Sequence, residues 1–244
     1  MTAPRVIVTR PSPDAESFSA ALAEAGFTAI PSPVMEIKTL GAPADLARVG
    51  AIAFTSANGA RAFAQTSPVR DLPVFTVGQA SASEAERLGF MIAARAEGDV
   101  ESLARVISEA KRSGAIEGEI LHIAGSERAG DLVALLGQEG INARRAVLYV
   151  AEAVTDLSEE ARTALAEAAP AEWVAVFSPR SARLFIEQAA RAGLTERLKE
   201  VGALCLSEAV ARAAALAPFG KIVIAAERTG ECMIEALCGA ASPA

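Results

Sequence analysis

Histidine, tyrosine and tryptophan each occur once in the 244 residues, and cysteine occurs three times. A catalytic zinc site usually draws on several His or Cys ligands. Cys205, Cys232 and Cys238 have neither metal spacing nor a Cys-x-x-Cys pair, and they read as small buried hydrophobes. His122 sits inside the strand pattern Ile120-Leu121-His122-Ile123 and reads as a satisfied core histidine. A Ser/His/Asp triad would have no other histidine to use. Aromatic residues make up only 5%, too few for a surface that stacks nucleobases. Positive charge is also short: 23 Lys and Arg stand against 30 Asp and Glu, for a net charge of −7. Nonspecific binding to nucleic acid or to an anionic membrane is therefore disfavoured. No apolar run is long enough to span a bilayer, and Met1-Thr2-Ala3-Pro4 leads straight into the strand pattern Arg5–Thr9, unlike a signal peptide. A cytoplasmic protein is expected. There is no G-x-G-x-x-G. Gly125-Ser126-Glu127-Arg128-Ala129-Gly130 has P-loop glycine spacing, but Asp131 and Leu132 stand where Lys and Ser/Thr are needed, and a carboxylate there repels phosphate.

What the chain does have is apolar content and order. Hydrophobic residues are 52% and charged residues 22%, enough to bury a core. Short apolar runs at Val6–Thr9, Ala51–Thr55, Val74–Val77, Ile120–Ala124, Val174–Phe177, Ala203–Leu206 and Ile222–Ala225 alternate with amphipathic stretches such as Asp14–Ala25, Glu101–Lys111 and Ala182–Ala192. This alternation predicts a mainly parallel sheet covered by helices. The chain also repeats itself. Phe54–Phe63 matches Phe177–Phe185 with one residue of slippage, Pro73–Phe90 matches Gly202–Phe219, and Leu22–Val34 matches Leu136–Leu148. A duplicated α/β unit predicts two lobes with a crevice between them. A simple tandem would divide near Ala110–Gly118. A swapped arrangement would instead connect its lobes through the extended segments Pro31–Lys38 and Arg144–Val154.

Ligands of open parallel sheets bind outside the carboxyl ends of the strands. The residues there are Thr9, Arg10, Pro11 and Ser12; Thr55, Ser56 and Asn58; Thr76, Gly78 and Ser81; Gly125, Ser126 and Arg128; Ser178, Pro179, Arg180 and Ser181; and Ser207. Ser56, Ser178 and Ser207 are N-cap candidates, and Pro179 suits a first helical position. At any one place capping alone explains the residue. Their number in both halves predicts a socket of helix N-termini for several anions, to which Arg10, Arg128 and Arg180 would add bidentate contacts. Each arginine read alone is better explained as a solvated surface charge. Tyr149 has two readings: a packing residue between lobes, or a phenol placed over the crevice to donate a proton or hydrogen bond.

These residues come in the order seen in uroporphyrinogen-III synthases. Val8-Thr9-Arg10-Pro11, Phe54-Thr55-Ser56-Ala57-Asn58-Gly59, Val77-Gly78-Gln79-Ala80-Ser81-Ala82, Gly125-Ser126-Glu127-Arg128, Tyr149 and Phe177-Ser178-Pro179-Arg180-Ser181-Ala182 together resemble that family from Arg5 to about Leu237. The resemblance implies two similar α/β lobes, residues 1–33 with 153–244 and residues 38–147, joined by linker strands at 34–37 and 148–152. It implies a lyase that closes hydroxymethylbilane, a linear tetrapyrrole polycarboxylate, into uroporphyrinogen III, with loss of water and inversion of ring D through a spiro-pyrrolenine. No metal or organic cofactor is implied. The implied partners are the small-molecule substrate and the upstream bilane-forming enzyme in a transient handover, and the implied state is a monomer. By resemblance Tyr149 is the general acid, and Thr55, Ser56, Thr76, Gly78, Ser81, Ser126, Ser178 and Ser207 hydrogen-bond substrate carboxylates. The second repeat departs from the family turn: Ser207 stands for the glycine and Val210 for the hydroxyl residue. A binding module closing on a small polyanion without chemistry, and a scaffold with an apolar closed cleft, are the readings from other function classes.

Overall fold

The structure is a computed structural model and describes residues 3–42, 44–127, 130–167 and 171–241. Strand β1 (Arg5–Val8) leads into helix α1 (Asp14–Glu24), whose buried Ala15, Phe18 and Leu22 recur at helical spacing, and then into β2 (Thr28–Pro31). After β3 (Met35–Thr39) come β4 (Val49–Phe54), α2 (Ala57–Thr66), β5 (Pro73–Val77), α3 (Gly78–Arg87), β6 (Met91–Ala96), α4 (Val100–Arg112), β7 (Glu119–Gly125), α5 (Leu132–Gln138) and β8 (Ala143–Ala153). The chain continues through α6 (Glu159–Ala166), β9 (Trp173–Val176), α7 (Pro179–Arg191), a 3-10 turn (Thr195–Glu200), β10 (Gly202–Cys205), α8 (Glu208–Ala214), β11 (Lys221–Ile224) and α9 (Gly230–Ala241).

The chain divides into two compact units, one taking the chain up to Glu36 and from Glu152 onward, the other Ile37–Ala151. The sheet of the first unit has the order β11-β10-β9-β1-β2, with every neighbouring pair parallel. The second sheet has the order β3-β8-β7-β4-β5-β6, parallel from β8 to β6. Leu40 N–H donates to Leu148 O at 2.7 Å and Val154 N–H to Val34 O at 2.9 Å. As one residue number rises the other falls, the mark of an antiparallel β3–β8 pair. The duplication is visible in strand order: β11-β10-β9-β1-β2 repeats β6-β5-β4-β7-β8. Each sheet therefore combines an early piece of one repeat with a late piece of the other, β1 beside β9 and β7 beside β4.

Helices on both faces explain why the strands are nearly unbroken apolar runs. Val6 and Val8, with Trp173 of β9 beside them, face Phe18 and Leu22, while Ile7 faces Leu165, Phe185 and Val210. In the second unit, Ile52, Phe54, Leu121 and Ile123 join Phe63 and Phe90 on one face, and Ala51, Ala53, Phe75 and Ile120 join Leu103, Ile107 and Leu136 on the other.

The strands stop one residue short of several expected ends. Thr9, Thr55, Phe177, Leu206 and Ala225 already belong to the turns that follow. β6 was not expected, because it is an edge strand with the alternating exposure of a half-covered surface. β8 is an 11-residue strand that pairs with β7 from Ala143 to Tyr149, so it extends well before the expected linker at 148–152. Of the three cysteines only Cys205 is fully buried, and burial pushes its thiol up to about 12. Cys232 is half-buried and Cys238 exposed, because α9 turns only Met233 and Leu237 fully into the core.

Candidate active site

Helix starts carry most of the candidate residues, and local chemistry decides their geometry. Ser56 is extended at the N-cap of α2, and its Oγ accepts from Gly59 N–H at 3.2 Å. Ser178 caps α7 in a reciprocal box: its Oγ accepts from Ser181 N–H at 3.0 Å, and Ser181 Oγ accepts from Ser178 N–H at 2.9 Å. Pro179 occupies the start of α7. Ser207 takes the N-cap position of α8, but its side chain makes no capping bond. The corresponding Gly78 instead opens α3 with φ +70°, a backbone conformation that a side chain at this place would resist. The two repeats thus turn differently here. No side chain caps α3. Thr76 and Ser81 are buried, and Thr76 Oγ1 is without a hydrogen-bond partner among the described residues.

In the second unit the structure brings Tyr149 to Ser56. Their hydroxyl oxygens are 2.9 Å apart across 93 residues of sequence. The tyrosine ring lies against Gly125 on the neighbouring strand, where an added Cβ would come 2.7 Å from Cε2 and 2.8 Å from Cζ. Ser126 N–H donates to Tyr149 O at 2.9 Å, fixing the turn after β7 to the tyrosine backbone. Arg145, which sequence reading missed, donates through Nη2 to Gly125 O, and at 3.3 Å to Ser126 O and Glu127 O. One guanidinium therefore gathers three carbonyls of the candidate loop. Nothing local marks Arg145 for this; it follows from the β7–β8 register that sets Arg145 opposite His122. Arg128 lies outside the described residues. Asp131 caps α5, accepting from Ala134 N–H at 3.1 Å, which accounts for a carboxylate where a P-loop needs lysine.

His122 is buried, as expected, but it is not fully satisfied. Nε2 lies 3.1 Å from Thr55 Oγ1, whereas Nδ1 has no partner among the described residues. Burial, with help from the Arg145 charge, lowers its pKa to about 4, and Asp131 opposes the shift. The ring is neutral at physiological pH.

The first unit presents a second set of strand ends. Thr9 is turned inward, Oγ1 donating to Ala175 O at 2.8 Å. Arg10 lies 4.7 Å over the Phe177 ring and pairs with Asp14 at 3.2 Å, so its guanidinium is oriented by both. Phe18 meets Phe177 edge-on at 5.0 Å. Arg180 and Ser178 are half-buried at the start of α7.

The helices that carry Ser56 and Gly78 are tied together by Glu84 of α3, which accepts from Arg61 of α2 at 2.8 Å and from Arg87 at 2.7 Å. The Arg87 hydrogen bond foremost, with Arg61 adding, holds the Glu84 carboxyl down at about 2, against the opposing effect of burial. A depressed carboxyl stabilises the fold above its unfolded pKa, and that stabilisation is lost as pH falls from about 4.5 toward 2. Glu84→Gln should therefore cost ~1 kcal/mol at pH 7, after allowance for solvent screening. Denaturant titrations at several pH values should show the difference vanishing as pH falls toward 2.

The family model described as uroporphyrinogen-III synthase HemD matches residues 16–235. Among solved structures, uroporphyrinogen-III synthetase from Helicobacter pylori aligns with 16% identity and TM-score 0.65, covering 97% of this chain and 99% of that one. A mutant uroporphyrinogen III synthase from Thermus thermophilus aligns with 17% identity and TM-score 0.54, covering 98% of each. At these identities the likeness is one of fold. No curated protein sequence matches the chain.

Proposed function

The chain belongs to the uroporphyrinogen-III synthase family, the cyclising lyases that turn hydroxymethylbilane into uroporphyrinogen III, and on that premise we propose how its residues divide the work. Tyr149 is the general acid that assists departure of the ring A hydroxyl. Its support is geometric: the phenol is held on two sides, by Ser56 Oγ at 2.9 Å and by the bare backbone of Gly125 under its ring. Proton delivery of this kind contributes roughly 10²–10⁴-fold. Once the hydroxyl has left, the azafulvene is reactive by itself, and unguided closure gives the uninverted isomer. The remaining task is positioning, which can be worth ~7–11 kcal/mol.

Positioning falls to the strand ends. In the second unit Thr55, Ser56, Gly78, Ser81, Ser126 and Arg128 bind substrate carboxylates, whereas Thr76, expected among them from the sequence, has no exposed surface and does not. In the first unit Arg10, Ser178, Arg180 and Ser207 do so. Helix starts supply backbone N–H groups that suit anions without a net-basic protein. The two compact units serve as the two lobes of the family reading, connected through β3 and β8. No described helix is long and apolar enough to cross a membrane. In keeping with this and with the acidic net charge, we place the enzyme in the cytoplasm as a monomer that takes its bilane directly from the enzyme that forms it.

The observation that carries the reading is the family match over residues 16–235. Its test is a coupled assay in which freshly generated hydroxymethylbilane is added with and without protein and the oxidised porphyrin isomers are separated. The III isomer should dominate only with protein. Dominance of the I isomer in both tubes would leave a binding module for a polyanion.

A further inference from the structure

His122 has no part in the division of labour above, yet it is the buried neighbour of Thr55. The ring sits in β7, with Ala53 of β4 and Arg145 of β8 as its register partners, and it is only 6% exposed. Among the described residues its one ring hydrogen bond is to Thr55 Oγ1, and the buried Nδ1 has no partner. A neutral imidazole carries one proton and two places for it. On Nδ1, that proton would be a buried donor with nothing among the described residues to receive it, and Thr55 would have to donate its own hydroxyl proton to Nε2. On Nε2, the proton is used, and only a lone pair is left without a partner. Orphaned buried N–H groups are rarer than under-satisfied acceptors.

We propose that His122 is a positioning residue that donates from Nε2–H to Thr55 Oγ1 and so leaves the threonine hydroxyl proton free to be given to a substrate carboxylate. Thr55 is half-buried just past the end of β4, where one side of its hydroxyl is held by the histidine. A hydroxyl that accepts on that side has its own proton for an outside acceptor, and an anionic oxygen is the strongest one. The site thereby gains an oriented donor for a carboxylate without adding a positive charge. A neutral ester at the same place would be bound less well than the acid.

The inference rests on Thr55 touching substrate, but its first test does not. His122 is the only histidine, so the protein labelled with ¹⁵N-histidine gives one pair of ring-nitrogen signals. At neutral pH, Nε2 should have the shift of a protonated nitrogen and Nδ1 that of a nitrogen with a free lone pair. The reverse assignment would overturn the proposal without any variant having to fold. The kinetic test uses His122→Phe, Thr55→Val and the double variant. Each single change should raise KM by ~10-fold with kcat within about twofold, the pattern of lost uniform binding. The double variant should be no worse than either single. Independent, multiplying effects would sink the coupling between the two residues. If wild-type protein fails to direct formation of the III isomer, the functional reading falls, while the ring-nitrogen result still decides the hydrogen bond.

Discussion

Tyr149→Phe should lower turnover by at least ~10-fold while the protein remains folded. The change removes one oxygen and leaves the ring, whose packing on Gly125 involves Cε2 and Cζ as well as the hydroxyl. Ser56 loses a partner at 2.9 Å but keeps the bond it accepts from Gly59 N–H, so α2 should remain capped. Steady-state rates with freshly made bilane, set beside a circular dichroism melt, separate the two effects. Unchanged turnover would remove Tyr149 from the acid role without touching the family assignment. Gly125→Ala gives a second way to displace the same phenol. A methyl at this place meets the ring at 2.7 Å, so the ring must swing aside and surrender its bond to Ser56. Turnover of Gly125→Ala should fall toward that of Tyr149→Phe, and the two changes together should do little more than either alone, since both remove one device.

The largest loss of stability is expected from Gly50→Ala, by about 3 kcal/mol. Gly50 lies early in β4, where pairing with β7 shifts register between Val49 and Ala51. A Cβ there would lie 1.5 Å from Glu117 O and 2.5 Å from Glu117 C. Backbone cannot rotate away as a side chain can, so one strand must move. The backbone on both sides is equally tight: Gly118 in the facing turn has φ +73°, and Arg48, just before β4, has φ 64°. Gly137→Ala is the opposite case. Gly137 lies in α5 with open space where its Cβ would be, and the change should stabilise by ~0.5–1 kcal/mol through helix propensity and a less flexible unfolded chain. Denaturation midpoints of the two variants should move in opposite directions. A shift of the same sign and size in both would mean that the crossing of Gly50 with Glu117 does not govern stability.

What the sequence determined by itself was everything carried by neighbouring residues. Apolar runs bounded by turn residues mark strands, and α1, α2 and α7 bury Phe18, Phe63 and Phe185 at helical spacing. Ser56 and Ser178 cap helices because a hydroxyl one residue ahead of a helix reaches an N–H three residues on. The duplication is legible for the same reason, as two copies of one local pattern. Tertiary structure alone decided which distant pieces meet. β1 lies beside β9 rather than β4 because each sheet is assembled from parts of both repeats, and either pairing would bury similar apolar strands. Tyr149 reaches Ser56, Thr55 reaches His122, and Arg145 gathers the carbonyls after β7 through the registers of β4, β7 and β8. Those registers are set by packing on both faces of the sheet at once. No window of local sequence contains both sides of such a contact, so the residue types were readable and their meeting was not.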